Sequence, residues 1–148
     1  MMPAPSADVS IRLTLTARTA AQLMTPQVVS IPADAPVPQA VALLTDRGLS
    51  AAPVIDAAGR PLGVVSQADV LAHLREQPTA PPAPARVKDI MTPTVFSCTP
   101  QTPAHEVVRL LLGLKVRQLF VVDETGVPVG VIAAVDVLRR LEESGEPA

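Results

Sequence analysis

From Val9 to Thr16 apolar and polar residues alternate at period two, which predicts a half-buried strand. No counterpart follows it, and two roles fit equally: covering a sheet edge or pairing with a second chain. Past Met24 the rhythm changes to short apolar runs separated by Pro and Gly. Extended pieces are expected at Val28–Ile31 and Val95–Cys98, strands at Ala52–Asp56, Pro61–Val65, Leu119–Asp123 and Pro128–Ile132. Prolines open helices at Pro36–Arg47 and Pro103–Leu114, since proline suits the first helical turn, and Thr102 is placed to cap the second. Final helices are expected at Gln67–Arg75 and Ala134–Glu142. Asp56–Gly59 and Asp123–Gly126 are hairpin turns whose glycines supply a positive φ.

These elements form one pattern written twice. Met24-Thr25-Pro26 returns as Met91-Thr92-Pro93, 67 residues later, and that offset holds without a gap from Met24 to Leu71. It carries Ser30 to Ser97, Pro36 to Pro103, Asp56 to Asp123, Gly63 to Gly130 and Asp69 to Asp136. Chance does not keep register that long, so the chain holds a duplicated β-α-β-β-α unit. The fold class is therefore α+β, with an N-terminal extension (1–18), a first repeat (19–77), a Pro-rich linker (78–86), a second repeat (87–142) and a tail (143–148). The helix around Val107–Leu114 is apolar nearly all round, so it needs cover on two sides, from the other repeat or from a second chain. A homodimer is expected.

Composition narrows the function. The 148 residues are 48% hydrophobic and 18% charged, a globular balance with a net charge of −2 that excludes a nucleic-acid backbone as main partner. With two Phe, no Tyr and no Trp, a ligand's ring is expected to meet aliphatic side chains. A single cysteine, Cys98, forms no internal disulfide and reads as a small core residue, consistent with a cytoplasmic chain. No signal peptide is evident, and Arg109, Lys115 and Arg117 interrupt the most apolar region, so no membrane span is expected. His73 and His105 have no partners at metal-ligand spacing and should face solvent.

The chemistry concentrates in Gly63–Leu71, where a strand runs into a helix. Ser66 and Asp69 fit a capping box at the helix start, and taken alone that structural role is the simpler one. The second copy, Gly130–Leu138, keeps Asp136 but has Ala133 in place of the serine. Neither aspartate has a nucleophile or metal box beside it, so catalysis is not expected.

Met-Thr-Pro, the strands Pro53-Val54-Ile55-Asp56 and Phe120-Val121-Val122-Asp123, the Gly-containing hairpin and Gly63-Val64-Val65-Ser66-x-x-Asp69-Val70-Leu71 together resemble a cystathionine-β-synthase (CBS) domain. Two in tandem, over about residues 19–142, resemble a CBS pair or Bateman module, with the repeats packed in pseudo-two-fold symmetry. The resemblance implies a regulatory module binding an adenosine-containing ligand (AMP, ADP, ATP, S-adenosylmethionine or NAD) between the repeats, with no prosthetic group. Carried over, Ser66 contacts phosphate and Asp69 holds ribose hydroxyls, facing Thr94, Val95, Val116, Arg117 and Gln118 from the second repeat. The opposite cleft pairs Asp136 with Gln27, Val28, Leu49, Ser50 and Ala51, and Ala133 degrades it.

That arrangement is chemically coherent. A carboxylate accepts hydrogen bonds from two ribose hydroxyls, Ser66 sits beside helix N-terminal N–H groups suited to phosphate, and Arg117 offers a planar fork. Arg117 is otherwise an ordinary exposed charge, and Phe120, where the first copy has Pro53, either narrows the cleft or fills core. The expected function is a ligand sensor that signals in trans to an effector protein. The rival is an assembly module that binds no ligand and only holds a dimer together.

Overall fold

The computed structural model describes residues 9–26, 28–77 and 84–147. The N-terminal eight residues, Gln27 and most of the Pro-rich linker therefore lie outside the described residues. The observed elements are β1 (Val9–Leu15), α1 (Ala20–Leu23), β2 (Ile31–Pro32), α2 (Val37–Asp46), β3 (Ala51–Ile55), β4 (Pro61–Ser66) and α3 (Gln67–Glu76). They continue with α4 (Val87–Ile90), β5 (Ser97–Cys98), α5 (Ala104–Leu114), β6 (Gln118–Val122), β7 (Pro128–Ala133), α6 (Ala134–Leu138) and β8 (Leu141–Pro147). The β-α-β-β-α order is present in both repeats, each preceded by a one-turn helix.

Each repeat builds a three-stranded sheet, β2-β3-β4 or β5-β6-β7, in which a short parallel strand joins an antiparallel hairpin. The hairpin turns close as their sequence requires: Gly59 and Gly126 sit at φ +85° and +87°. The Asp56 and Asp123 side chains accept backbone N–H bonds across the turns. A hydrogen bond from the Thr125 hydroxyl, joined by the backbone N–H groups of Val127, Thr125 and Gly126, holds the Asp123 carboxyl below the usual carboxylate range. Pro36 and Pro103 occupy the N-cap positions of α2 and α5. Thr102 does not cap α5 by its side chain. Its hydroxyl instead accepts from the Thr99 N–H at 3.0 Å and pairs with the Thr99 hydroxyl, closing the preceding turn.

The two repeats are stitched reciprocally. Thr25 exchanges two backbone hydrogen bonds with Val131, and Thr92 exchanges two with Val64, so each Met-Thr-Pro segment zips onto the last strand of the other repeat. The one-turn helices cross over as well. Ala20 N–H donates to the Thr102 carbonyl and Ala104 N–H to that of Arg18; Val87 N–H donates to Ala35 and Val37 N–H to Ala85. The cores are exchanged in consequence. Ala20 and Leu23 pack with Cys98, Val107, Leu119, Val121 and Ile132 of the second repeat, while Val87 completes the core around Ile31, Val54 and Val65 of the first. The α1 helix covers the Ala104 and Val107 side of α5, while Leu112 on the same helix stays exposed.

Two further expectations change. β1 does not join a repeat's sheet: it pairs antiparallel with β8 along its whole length, Val9 opposite Pro147 to Leu15 opposite Leu141. The final helix of the second repeat accordingly stops at Leu138 rather than Glu142. The Thr16 N–H and hydroxyl both donate to the Arg140 carbonyl, and the Arg140 guanidinium donates to Gln22, which draws the chain out of the helix and into β8. No helix among the described residues is long and apolar enough to cross a membrane.

Candidate functional site

Between the repeats lies a cleft of about 330 Å³. Ser66 closes β4 and caps α3; Asp69 is one turn further on, placed by the box expected from the sequence. Asp69 N–H donates to Ser66 Oγ at 3.1 Å, and Ser66 N–H donates to Asp69 Oδ2 at 2.8 Å. Thr92 and Thr94 enter from the segment after α4, and Val116, Arg117 and Gln118 from the start of β6. All seven line the cleft.

Other expected residues fall elsewhere. Ser50, assigned to the opposite cleft, lines this one, and Ala51 lines both, because they lie at the start of β3 beside Ser66: Ala51 pairs with Ser66, and Gln67 N–H donates to the Ser50 carbonyl. Val95 is half-buried and is not among the residues lining the cleft. Arg117 is exposed at the cleft wall. His105 is exposed as expected, but His73 is half-buried in a groove beside Val70 and Leu74. Among the described residues, no group of acidic, His and Cys side chains is placed to hold a metal ion.

The site's internal hydrogen bonds limit what its groups can offer. Ser66 Oγ stands 2.9 Å from Asp69 Oδ2, and a carboxylate only accepts, so the hydroxyl proton is committed there. Thr92 Oγ1 donates to Asp69 Oδ1 at 3.1 Å. Asp69 thus uses three of its roughly four acceptor positions. It has room for one ribose hydroxyl, and for two only where Thr92 gives way. The N–H groups of Ser66, Gln67 and Asp69 are all engaged, so the helix entrance is not the open seat its sequence suggests.

The cleft is more aromatic than the composition of the chain suggests. Both phenylalanines of the chain, Phe96 and Phe120, line this cleft, joined by a hydrogen bond from Phe120 N–H to the Phe96 carbonyl at 3.1 Å. A signal existed in the sequence: their repeat equivalents are Val29 and Pro53, so both aromatics were gained on one side. Phe120 is 2% exposed, so it fills core and narrows the cleft at once.

The pseudo-symmetric position holds a remnant of about 60 Å³, lined by Val28, Leu49 and Ala51 with Gln118, Phe120 and Val131 among others. Asp136 does not line it. Its carboxylate accepts from Ala133 N–H at 2.7 Å and from Arg139 at 3.4 Å, with the Thr25 hydroxyl at 3.5 Å. Cys98 is buried in the core of the second repeat, and burial pushes its thiol pKa up, opposite to what a nucleophile needs.

A family model described as CBS domain matches residues 20–76 and again 87–143. The chain belongs to the CBS domain family, as a tandem pair. It is 34% identical over 113 residues to 5'-AMP-activated protein kinase subunit gamma-3 of Bos taurus, a match that covers 72% of this chain and 22% of that protein. The chain spans about a quarter or less of the first curated relatives it matches. Among solved structures it resembles CBSX2 in complex with AMP at 31% identity and a TM-score of 0.71, covering 83% of this chain and 95% of that one. It also resembles the cytosolic domain of the Mg2+ channel MgtE in complex with ATP at 31% identity and a TM-score of 0.69, covering 82% and 48%.

Proposed function

We propose that this CBS pair is a non-catalytic regulatory module that binds one adenosine-containing ligand per chain, of the AMP, ADP, ATP, S-adenosylmethionine or NAD class. The reading rests on one observation: a 330 Å³ inter-repeat cleft holds Asp69 and Arg117 together, while its counterpart is reduced to about 60 Å³. Asp69 receives a ribose hydroxyl and Arg117 faces phosphate. CBSX2 and the MgtE cytosolic domain, at 31% identity, carry AMP and ATP in their complexes, which supports this ligand class. Ligand occupancy is communicated in trans to an effector protein, in the cytoplasm. The route for that signal is the Thr92–Asp69 hydrogen bond, which ties the cleft to the crossing segment of the second repeat.

A nucleotide panel read by thermal melting tests the assignment. Wild type is expected to be stabilised by at least one of AMP, ATP, S-adenosylmethionine or NAD. Ser66→Ala combined with Asp69→Ala abolishes that ligand-induced shift, whereas Asp136→Ala retains it. If no panel member moves the wild-type melting curve, the assembly-module reading replaces this one.

The module functions as a homodimer. Leu71 and Leu74 on α3, Leu112 on α5 and Leu138 on α6 are each more than 60% exposed, with Val135 beside them in sequence on α6. Leaving that much large apolar surface in water is unfavourable at about 25 cal/mol per Å², and a second copy removes it. Analytical ultracentrifugation at micromolar concentration is expected to give twice the 15.4 kDa chain mass, and Leu71→Lys with Leu112→Lys the single-chain mass. A wild type sedimenting as a monomer overturns the dimer.

A further inference from the structure

The charges in the cleft are few. Asp69 and Arg117 are the ionisable side chains that line it, and they balance. The Ser66 proton points to Asp69, and the N–H groups of Ser66, Gln67 and Asp69 already have acceptors. A ligand's phosphates therefore meet one guanidinium beside neutral donors such as the Ser50 and Thr94 hydroxyls and the Gln118 amide, and each phosphate beyond the first adds charge with no further cation among the lining residues. The apolar wall is more distinctive: Val64, Val116 and both aromatic side chains of the protein border it. Phe96 and Phe120 lie on neighbouring segments of the second sheet, held in place by the Phe120 N–H to Phe96 carbonyl bond and by the burial of Phe120.

We infer that Phe96, backed by the buried Phe120, is the specificity-determining residue of this cleft, selecting a planar base, and that the base rather than the phosphate carries the affinity. This rests on the adenosyl reading above and deepens it: the preferred ligand is an adenine nucleoside with at most one phosphate-sized anion. Aromatic faces favour a flat π-system through stacking or edge contacts beyond simple area burial, and aliphatic side chains of similar size do not.

Isothermal titration with adenosine, AMP, ATP and ribose 5-phosphate tests this on wild type, Phe96→Leu and Phe96→Trp. Phe96 is half-buried, so leucine keeps most of its packing. Wild type is expected to bind adenosine within about tenfold of AMP, and both far more tightly than ribose 5-phosphate. Phe96→Leu weakens adenosine and AMP by about five- to tenfold, and Phe96→Trp restores them. Because the chain has no other Trp or Tyr, the Phe96→Trp emission reports the base directly and changes on adding adenosine. Wild-type affinity in Phe96→Leu overturns the inference, as does a Trp emission indifferent to bound adenosine. A wild type that binds ATP but not adenosine also overturns it and leaves the adenosyl reading standing. Binding of none of the three adenine compounds overturns the inference, and with S-adenosylmethionine and NAD also silent it overturns the adenosyl reading.

Discussion

The two clefts are built from one backbone pattern repeated at a 67-residue offset, yet one is open and the other is nearly filled. Position by position, the difference is small. Ser66 faces Ala133, Ala72 faces Arg139, Pro53 faces Phe120 and Ser50 faces Arg117. In the first cleft Asp69 is oriented by Ser66 and Thr92 and keeps an acceptor position. At the pseudo-symmetric position Asp136 is engaged by Arg139, its side chain is only 11% exposed, and it is not among the residues lining the smaller cleft. Phe120 borders both clefts, furnishing one wall of the first and filling space in the second. One duplicated pattern thus yields two unequal clefts that share Ala51, Gln118 and Phe120 in their linings.

The stitching between repeats is symmetric in its hydrogen bonds but not in its tolerance, and the largest expected effect follows from that. A Cβ added to Gly63 would lie 2.5 Å from the Thr92 carbonyl oxygen and 3.2 Å from Pro93 Cα, both rigid backbone. At Gly130 the obstruction is the Met24 side chain, whose sulfur and Cγ can swing aside, leaving its Cβ at 3.0 Å to give by a few tenths of an ångström. Gly63→Ala is expected to cost about 1–3 kcal/mol by overpacking, and Gly130→Ala clearly less. Paired urea titrations of the two variants measure the difference. Equal losses would show that the Met24 side chain is as fixed as the Thr92 backbone.

Much of this was legible in the chain, because the legible parts are local. The repeat, the hairpins with Gly59 and Gly126, and the Ser66–Asp69 box each depend on residues within a few positions of one another. What could not be read depends on distant partners. Nothing in Ala20–Leu23 says that this turn completes the core of the second repeat, since its partners Leu119 and Ile132 are about a hundred residues away. Leu141-Glu142-Glu143 has a helical propensity that pairing with β1 overrides. The motif leads to Ser66 and Asp69, which line the cleft, but not to the state of their protons. Only the distances show that Ser66, Gln67 and Asp69 spend their donors within the protein.

The smallest expected effect sharpens the comparison most directly, because it restores one missing feature and leaves the others. Ala133 begins α6 with the Asp136 half of a capping box and no side-chain acceptor for the N–H groups of the first turn. Ala133→Ser supplies that acceptor. An N-cap of this kind stabilises by about 1 kcal/mol, which for a chain of this length raises Tm by about 2–4 °C. Ligand stoichiometry should nevertheless stay at one per chain. The serine neither removes Phe120 from the second cleft nor brings Asp136 into its lining, and that filling, rather than the absent hydroxyl, is expected to keep it closed. Calorimetry of Ala133→Ser with the best panel ligand decides between the two causes. A stoichiometry rising to two would mean that the hydroxyl alone had been lost and that the apolar filling yields to a ligand. A higher Tm with one ligand bound would mean that capping and binding, joined at Ser66, are separable functions of the same position.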